Sequence, residues 1–167
     1  MSRRTMGRRN AAMAWLAACT LLLPALATAA VTCTASSTST AFGVYNPLSA
    51  TPTYANGDVQ VVCTLLSGGA TTVTLVSSYS TGASGSYAMR TMLSGANKLN
   101  YNLFFDAAYT SIRGNGTGGS ATGGATLNLT AANPTQTASG TIYGRIPAGQ
   151  DVAAGAYADT IVVTITY

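Results

Sequence analysis

Asp58-Val59-Gln60-Val61-Val62-Cys63-Thr64-Leu65-Leu66 alternates Val59, Val61, Cys63 and Leu65 on one face with Gln60, Val62, Thr64 and Leu66 on the other. A period of two residues is the signature of a strand with one face buried; a helix would repeat its apolar residues every three to four. The same reading extends outward along the chain. Thr71 to Ser77 turns Val73 and Leu75 inward, and Leu99 to Phe105 sets Leu99, Tyr101, Leu103 and Phe105 against Asn100, Asn102 and Phe104. Ala125 to Thr130, Gly140 to Ile146 and Tyr157 to Tyr167 continue the series. These runs are rich in Val, Ile, Thr and Tyr and are bounded by Gly, Ser, Asn and Pro, which predicts an all-β sandwich or barrel. No helix-period pattern of useful length follows Val31. Gly114 to Gly124 is low in complexity but short, and is read as a mobile loop between strands.

The first thirty residues predict the compartment. Arg3, Arg4, Arg8 and Arg9 precede an apolar run from Ala11 to Ala27, which closes on Ala25, Ala27, Ala29 and Ala30. A basic n-region, a short apolar h-region and an A-x-A site describe a signal peptide, residues 1–30, cut after Ala29 or Ala30. The run is too short for a membrane span, which needs roughly 20 apolar residues. Leu16-Ala17-Ala18-Cys19 also fits a lipoprotein site, but the apolar run continues past Cys19 instead of turning polar, so an unlipidated N-terminus is expected. Residues 31–167 then form one domain, long enough for its own core.

Cleavage also removes half of the basic charge. What remains is Arg90, Lys98, Arg113 and Arg145 against Asp58, Asp106, Asp151 and Asp159, a net charge of zero. No basic stripe is left to follow a run of phosphates, so nucleic acid is not an expected partner. A charge-poor surface instead favours association with other proteins. The two remaining cysteines, Cys33 and Cys63, form an even pair in an exported domain and are read as a disulfide. Closing that 31-residue loop stabilises the fold by about 3.7 kcal/mol in the chain-entropy account.

Catalytic chemistry finds little to work with. The sequence has no histidine and no glutamate, and two thiols without histidine leave a zinc site almost no ligands. The four aspartates sit beside turns or strand ends, where solvated turn-formers are usual. A Ser–Lys pair using Lys98 has no elbow motif to support it. Gly114, Gly116 and Gly119 satisfy a dinucleotide fingerprint on paper, but no helix follows. Asn115-Gly116-Thr117 and Asn128-Leu129-Thr130 are sequons that matter only in a eukaryotic secretory route. No enzyme activity, metal or cofactor is expected.

Longer motifs carry a resemblance. The first half offers Cys33, then Phe42-Gly43-Val44-Tyr45-Asn46-Pro47, then Gly57-Asp58-Val59-Gln60-Val61-Val62-Cys63. The second half offers Leu99-Asn100-Tyr101-Asn102-Leu103-Phe104-Phe105-Asp106, Tyr143-Gly144-Arg145-Ile146-Pro147-Ala148-Gly149-Gln150, and Ala154-Gly155-Ala156-Tyr157-Ala158-Asp159-Thr160-Ile161 running on to Tyr167. Together they resemble a spore coat protein U domain, a family that includes the Csu-type subunits of archaic chaperone–usher pili.

The resemblance implies an immunoglobulin-like β-sandwich that lacks its last strand. It implies a periplasmic chaperone, an outer-membrane usher and other pilus subunits as partners, at the cell surface after export. The chain's own pattern agrees, because Ile161 to Ile165 is apolar and runs to Tyr167 with nothing after it to cover its outer edge. Ile161, Val163, Ile165 and Tyr167 are therefore the expected strand-acceptor edge, and a terminal strand lying in mid-sheet is the alternative.

Two departures stand out. Arg113 occupies a position where the family often has an aromatic, ahead of the Gly-x-Gly of the glycine-rich loop. Only Val31 and Thr32 separate a cut after Ala30 from Cys33, and at roughly 3.3 Å per residue they cannot span a groove. The expected role is a structural fimbrial subunit that accepts a strand without donating one, as at a pilus tip. The alternatives are a spore-coat or cell-surface matrix protein, a self-contained adhesin or carbohydrate-binding domain stacking sugars on Tyr79, Tyr87, Tyr101 or Tyr109, and, more remotely, a serine hydrolase. Intact-mass measurement of the exported protein is expected to give a chain starting at Ala30 or Val31 without lipid; an acylated Cys19 would refute this.

Overall fold

The structure, a computed structural model, describes residues 28–167. The expected signal peptide, apart from its last three residues, lies outside the described residues, as does Cys19.

Among the described residues, ten strands make two facing sheets. In chain order they are β1 (Ala30–Thr38), β2 (Thr53–Ser67), β3 (Thr71–Tyr79), β4 (Arg90–Ser94), β5 (Asn97–Phe104), β6 (Ile112–Arg113), β7 (Ser120–Ala121), β8 (Gly123–Leu129), β9 (Thr135–Ile146) and β10 (Val163–Thr166). The large sheet runs β1-β2-β9-β5-β6-β7, with β4 paired to β5; the small sheet runs β10-β3-β8. All pairings are antiparallel except that of β6 with β7. The fold is an all-β sandwich.

The alternation read from 58–66 holds. Val59, Val61, Cys63 and Leu65 are buried, and so are Val73 and Leu75 opposite them. Val61, Cys63, Leu65, Val73, Leu75, Leu127 and Leu129 form one core cluster. Leu99, Tyr101, Leu103, Ile142 and Ile146 form another with Val59, Tyr79 and Met92. Burying each such aliphatic side chain contributes about 1.5–3 kcal/mol.

Other expectations change. The terminal run from Tyr157 to Tyr167 is strand only over Val163–Thr166. Ahead of it, Ala158 makes an isolated bridge to Leu93, and the Ser80 hydroxyl takes the Val162 N–H, so the chain is tied to two separate elements and does not run straight. The glycine-rich stretch is not loop throughout: it includes β7 and the start of β8, and the Gly114 N–H donates to the Ala121 carbonyl. Phe104, assigned to the polar side of β5, is also buried, because Tyr109 packs edge-on against its outer face.

Glycine shapes one crossing. After β1 the chain passes over the inner face of β2 and β9 at Gly57 and Gly144. A Cβ at Gly57 would meet Thr40 Oγ1 at 2.7 Å, and one at Gly144 would meet the Phe42 ring at 2.7 Å. Without side chains at both positions, Phe42 reaches the interior and packs edge-on against Tyr101, 5.9 Å between centroids.

Cys33 and Cys63 face each other across β1 and β2 and are disulfide-bonded. β1 has a strand on one side only, so the bond fastens an edge strand to the centre of the sheet. Cys63→Ser is expected to remove about 3.7 kcal/mol of stabilisation and to lower the yield of folded protein in an oxidising compartment. Two free thiols in the native protein, found by mass spectrometry, would refute the bond.

Candidate strand-accepting groove

The small sheet has three strands against a wider large sheet, and part of the interior is left without a lid. There a groove of about 1040 Å3 opens. Its floor includes Tyr79, Met92, Leu99, Tyr101, Leu103 and Ile142, all members of the buried apolar cluster. One wall is the end of β1 and the segment that follows it, from Ser37 to Tyr45; the other is Val152 to Ile161, leading into Val163 of β10. Phe42, Tyr45, Val152 and Tyr157 lean inward from the walls against the cluster and half-cover it.

Both walls end in bare backbone. β10 is hydrogen-bonded to β3 on one side, with Val163 opposite Tyr79 and Ile165 opposite Ser77, and it has no strand on the other. β1 is likewise the last strand of its sheet. Beyond it, residues 39–45 make no backbone–backbone hydrogen bond among the described residues.

Polar contacts fix the second wall. The Tyr101 hydroxyl donates to Asp159 Oδ2 at 2.7 Å, and Asp159 Oδ1 accepts the Ala83 N–H at 2.9 Å. Ala158 and Leu93 exchange two backbone hydrogen bonds. Gln150 takes the place of a strand residue beside β5: its Oε1 accepts the Asn100 N–H at 2.8 Å and its Nε2 donates to the Asn100 carbonyl at 2.9 Å. The Gln150 N–H donates to the Tyr45 hydroxyl, which links the wall to the segment across the groove. Gln150 and Asp159 belong to the quoted motifs, but nothing in the strand periodicity marks them as structural. Asp159 is not the solvated turn-former its position predicts, since it accepts from buried Tyr101 on a distant strand. Asp106 does act as a turn-former, and the Ser111 and Thr110 N–H groups hold its carboxyl below the usual range.

The expected edge residues separate by position. Ile161 and Val163 are half-buried and line the groove. Ile165 is half-buried and lines a smaller cavity of about 160 Å3 beside it. Tyr167 lies beyond β10, is 60% exposed and lines neither space.

The four tyrosines considered for sugar stacking do not form a platform. Tyr79 and Tyr101 are buried, and Tyr87 is half-buried with its hydroxyl given to the Tyr79 carbonyl. Tyr109, held at φ 59°, packs among Tyr54, Phe104 and Tyr143.

Sequence reasoning missed a buried polar layer. Arg90 is fully buried; Nε and Nη2 donate to the Ser80 carbonyl, Nη1 to Asn102 Oδ1, and Nη2 also to the Arg113 carbonyl. Arg113 is 4% exposed and donates to the Phe104 carbonyl, the Tyr79 hydroxyl and the Thr141 carbonyl. Burial pulls both guanidinium pKa values down.

The disulfide-pinned sandwich thus leaves β1 and β10, an edge strand of each sheet, on either side of one apolar groove. The Spore Coat Protein U domain matches residues 19–164. Protein U of Myxococcus xanthus is 32% identical over 133 residues, spanning 75% of this chain and 70% of that protein. The chain belongs to the spore coat protein U domain family. Among solved structures, it is similar to a chain in the crystal structure of the CsuC–CsuE chaperone–tip adhesion subunit pre-assembly complex from the archaic chaperone–usher Csu pili of Acinetobacter baumannii. The TM-score is 0.48 at 15% identity, with 83% of this chain and 40% of that chain covered.

The Tyr101 contact gives a pH signature. Burial, and then the hydrogen bond to Asp159, raise the Tyr101 pKa well above the ordinary tyrosine value. Its contribution is therefore full below about pH 10 and is lost as pH rises through the raised folded value. Tyr101→Phe is expected to loosen residues 152–161 by about 1–2 kcal/mol. Limited proteolysis should show roughly ten-fold faster cleavage in that segment, and the natural protein should show the same loosening only at strongly alkaline pH. Unchanged cleavage in the variant would mean that the contact does not hold the wall.

Proposed function

We propose that the protein is a structural subunit of a surface fimbria, assembled by the chaperone–usher route through uptake of a complementing strand. The observation that carries this reading is the pair of bare edges, β1 and β10, on either side of an apolar groove of about 1040 Å3. A strand laid along β10 gains backbone hydrogen bonds and lowers alternate apolar side chains toward Tyr79, Met92 and Leu103, uniting affinity with side-chain selection. A periplasmic chaperone supplies that strand first and a neighbouring subunit later, with an outer-membrane usher as the assembly platform. The domain is residues 31–167, exported by the signal peptide of residues 1–30. The role is structural and not enzymatic.

A place at a pilus terminus accords with the same geometry. Val31 and Cys33 already pack against the chain's own core, and Ala30 to Thr38 are committed to β1. Cleavage at Ala29 or Ala30 would leave nothing ahead of β1 to donate.

Produced alone in a bacterial periplasm, the protein is expected to aggregate or be degraded. Co-production with a fimbrial-type periplasmic chaperone, or refolding with a peptide of alternating valine and threonine, should give a soluble one-to-one complex. Val163→Glu or Ile165→Glu should abolish it, since a charge without a partner is not buried cheaply. A stable monomer that unfolds cooperatively and ignores the peptide would overturn the proposal.

A further inference from the structure

The outer face of the large sheet carries an aromatic cluster that takes no part in the groove. Leu103, Ile142 and Ile146 line the groove, so Phe104, Tyr143 and Arg145, which alternate with them along β5 and β9, point the opposite way. Tyr54 joins them from β2, where it is paired with Arg145, and Tyr143 is paired with Phe104. The loop after β5 lays Tyr109 over this patch. The Asp106 carboxylate takes the Thr110 and Ser111 N–H groups, and its backbone carbonyl takes that of Tyr109. Tyr109 is thereby held at φ 59°, a conformation that residues other than glycine rarely adopt. Its ring centroid lies 4.7 Å from that of Tyr54, 5.5 Å from Phe104 and 6.4 Å from Tyr143.

The polar ends of this cluster are not spent on the fold. Four other tyrosine hydroxyls are: Tyr45 donates to the Pro147 carbonyl, Tyr87 to the Tyr79 carbonyl, Tyr101 to Asp159 and Tyr157 to the Ala153 carbonyl. The hydroxyls of Tyr54, Tyr109 and Tyr143 make no hydrogen bond among the described residues. Neither does the Arg145 guanidinium, which lies 5.6 Å from the Phe104 ring centroid and 5.8 Å from that of Tyr109. Among the described residues no buried side-chain nitrogen or oxygen goes without a partner, and Tyr54 is itself 51% exposed, so these four groups open to solvent. The loop's own acid, Asp106, spends its oxygens on the turn.

We propose that Tyr54, Tyr109, Tyr143 and Arg145 form a shallow binding site for a uronic-acid unit of an anionic polysaccharide. Such a sugar matches each group on offer. Its C–H face suits the aromatic rings, its hydroxyls suit the three phenols, and its carboxylate accepts paired N–H groups from a guanidinium. An acidic peptide would meet the same cation, but at Tyr143 and Arg145 the β9 backbone is paired to β2 on one side and β5 on the other, so it has nothing to give a peptide strand. The site is independent of strand uptake, because it lies on the face of the large sheet that turns away from the groove.

The test titrates the full chain, exported and processed in a bacterial periplasm and purified in its soluble form with or without a complementing partner, with tetragalacturonate and tetramannuronate. NMR follows the Arg145 guanidinium and the ring resonances of Tyr54 and Tyr143. At least one of the two sugars is expected to bind and move these signals. The methyl ester of that sugar, and a tetraglutamate peptide, should bind at least about ten-fold more weakly. Arg145→Gln and Tyr54→Ala should each weaken sugar binding about ten-fold, whereas Lys98→Gln, which removes an exposed cation outside the patch, should not. Tyr54 is exposed enough for its variant to keep the test open if Arg145→Gln does not fold. Tetraglutamate binding as tightly as the sugar, binding unchanged in either patch variant, an equal loss in Lys98→Gln, or no binding of either sugar would overturn the proposal and leave strand uptake untouched.

Discussion

β2 gives its backbone to two partners at once, to β1 along Asp58 to Ser67 and to β9 along Thr53 to Thr64, and it carries the cysteine that bonds to β1. The strand is therefore paired along both edges for much of its fifteen residues. Its inward side chains, Val59 to Leu65, contribute to both core clusters. β1 has no other strand to hold it, and β9 leads on to the motif that shapes one end of the groove. The sandwich hangs from this strand, which is why one face of it is so regular in sequence.

The groove is the counterpart of that order. The large sheet is well paired, but the small sheet has only β3 and β8 to set beside β10. Apolar side chains on β5 and β9 thus lack a full partner layer. The chain compensates in part with two irregular segments, residues 39–45 and 152–161, which lean over the floor without forming strands that would close it. Their hold is polar and local: Asp159 on Tyr101, Gln150 on Asn100, Ser80 on Val162. Such contacts are individually modest, so the walls are held less firmly than the sheet beneath them.

Much of the fold was legible in the sequence because strand periodicity reports burial directly. The runs at 58–66 and 71–77 read correctly for that reason, whereas on β5 the opposite face is buried as well, at Asn102 and Phe104. β1 was legible mainly through Cys33, since Thr34 to Thr38 is small and polar and exposed throughout. The walls were not legible, because a segment without a period advertises neither its path nor its partners. Of the expected edge residues Ile161, Val163, Ile165 and Tyr167, the groove is lined by Ile161 and Val163. Arg113 was visible only as a departure from a pattern; its burial depends on Phe105, Tyr79 and Thr141, which only the fold brings together. Asp159 likewise looked like an ordinary turn residue until Tyr101, 58 positions away, was placed beside it.

The Gln150 amide has a further consequence. By occupying both the N–H and the carbonyl of Asn100, it seals β5 where β9 has run out. Gln136 does something similar at the small sheet, where its Nε2 donates to the carbonyl of Asn128 on β8. Side-chain plugs of this kind make a strand unattractive as a template. At the far side of the large sheet, β7 is two residues long, too short to recruit anything, and β4 is already bridged to the chain at Leu93 by Ala158. Openness is thereby concentrated on the side where β1 and β10 border the groove, and a fold with one open side has room for one added partner and no second edge from which to grow.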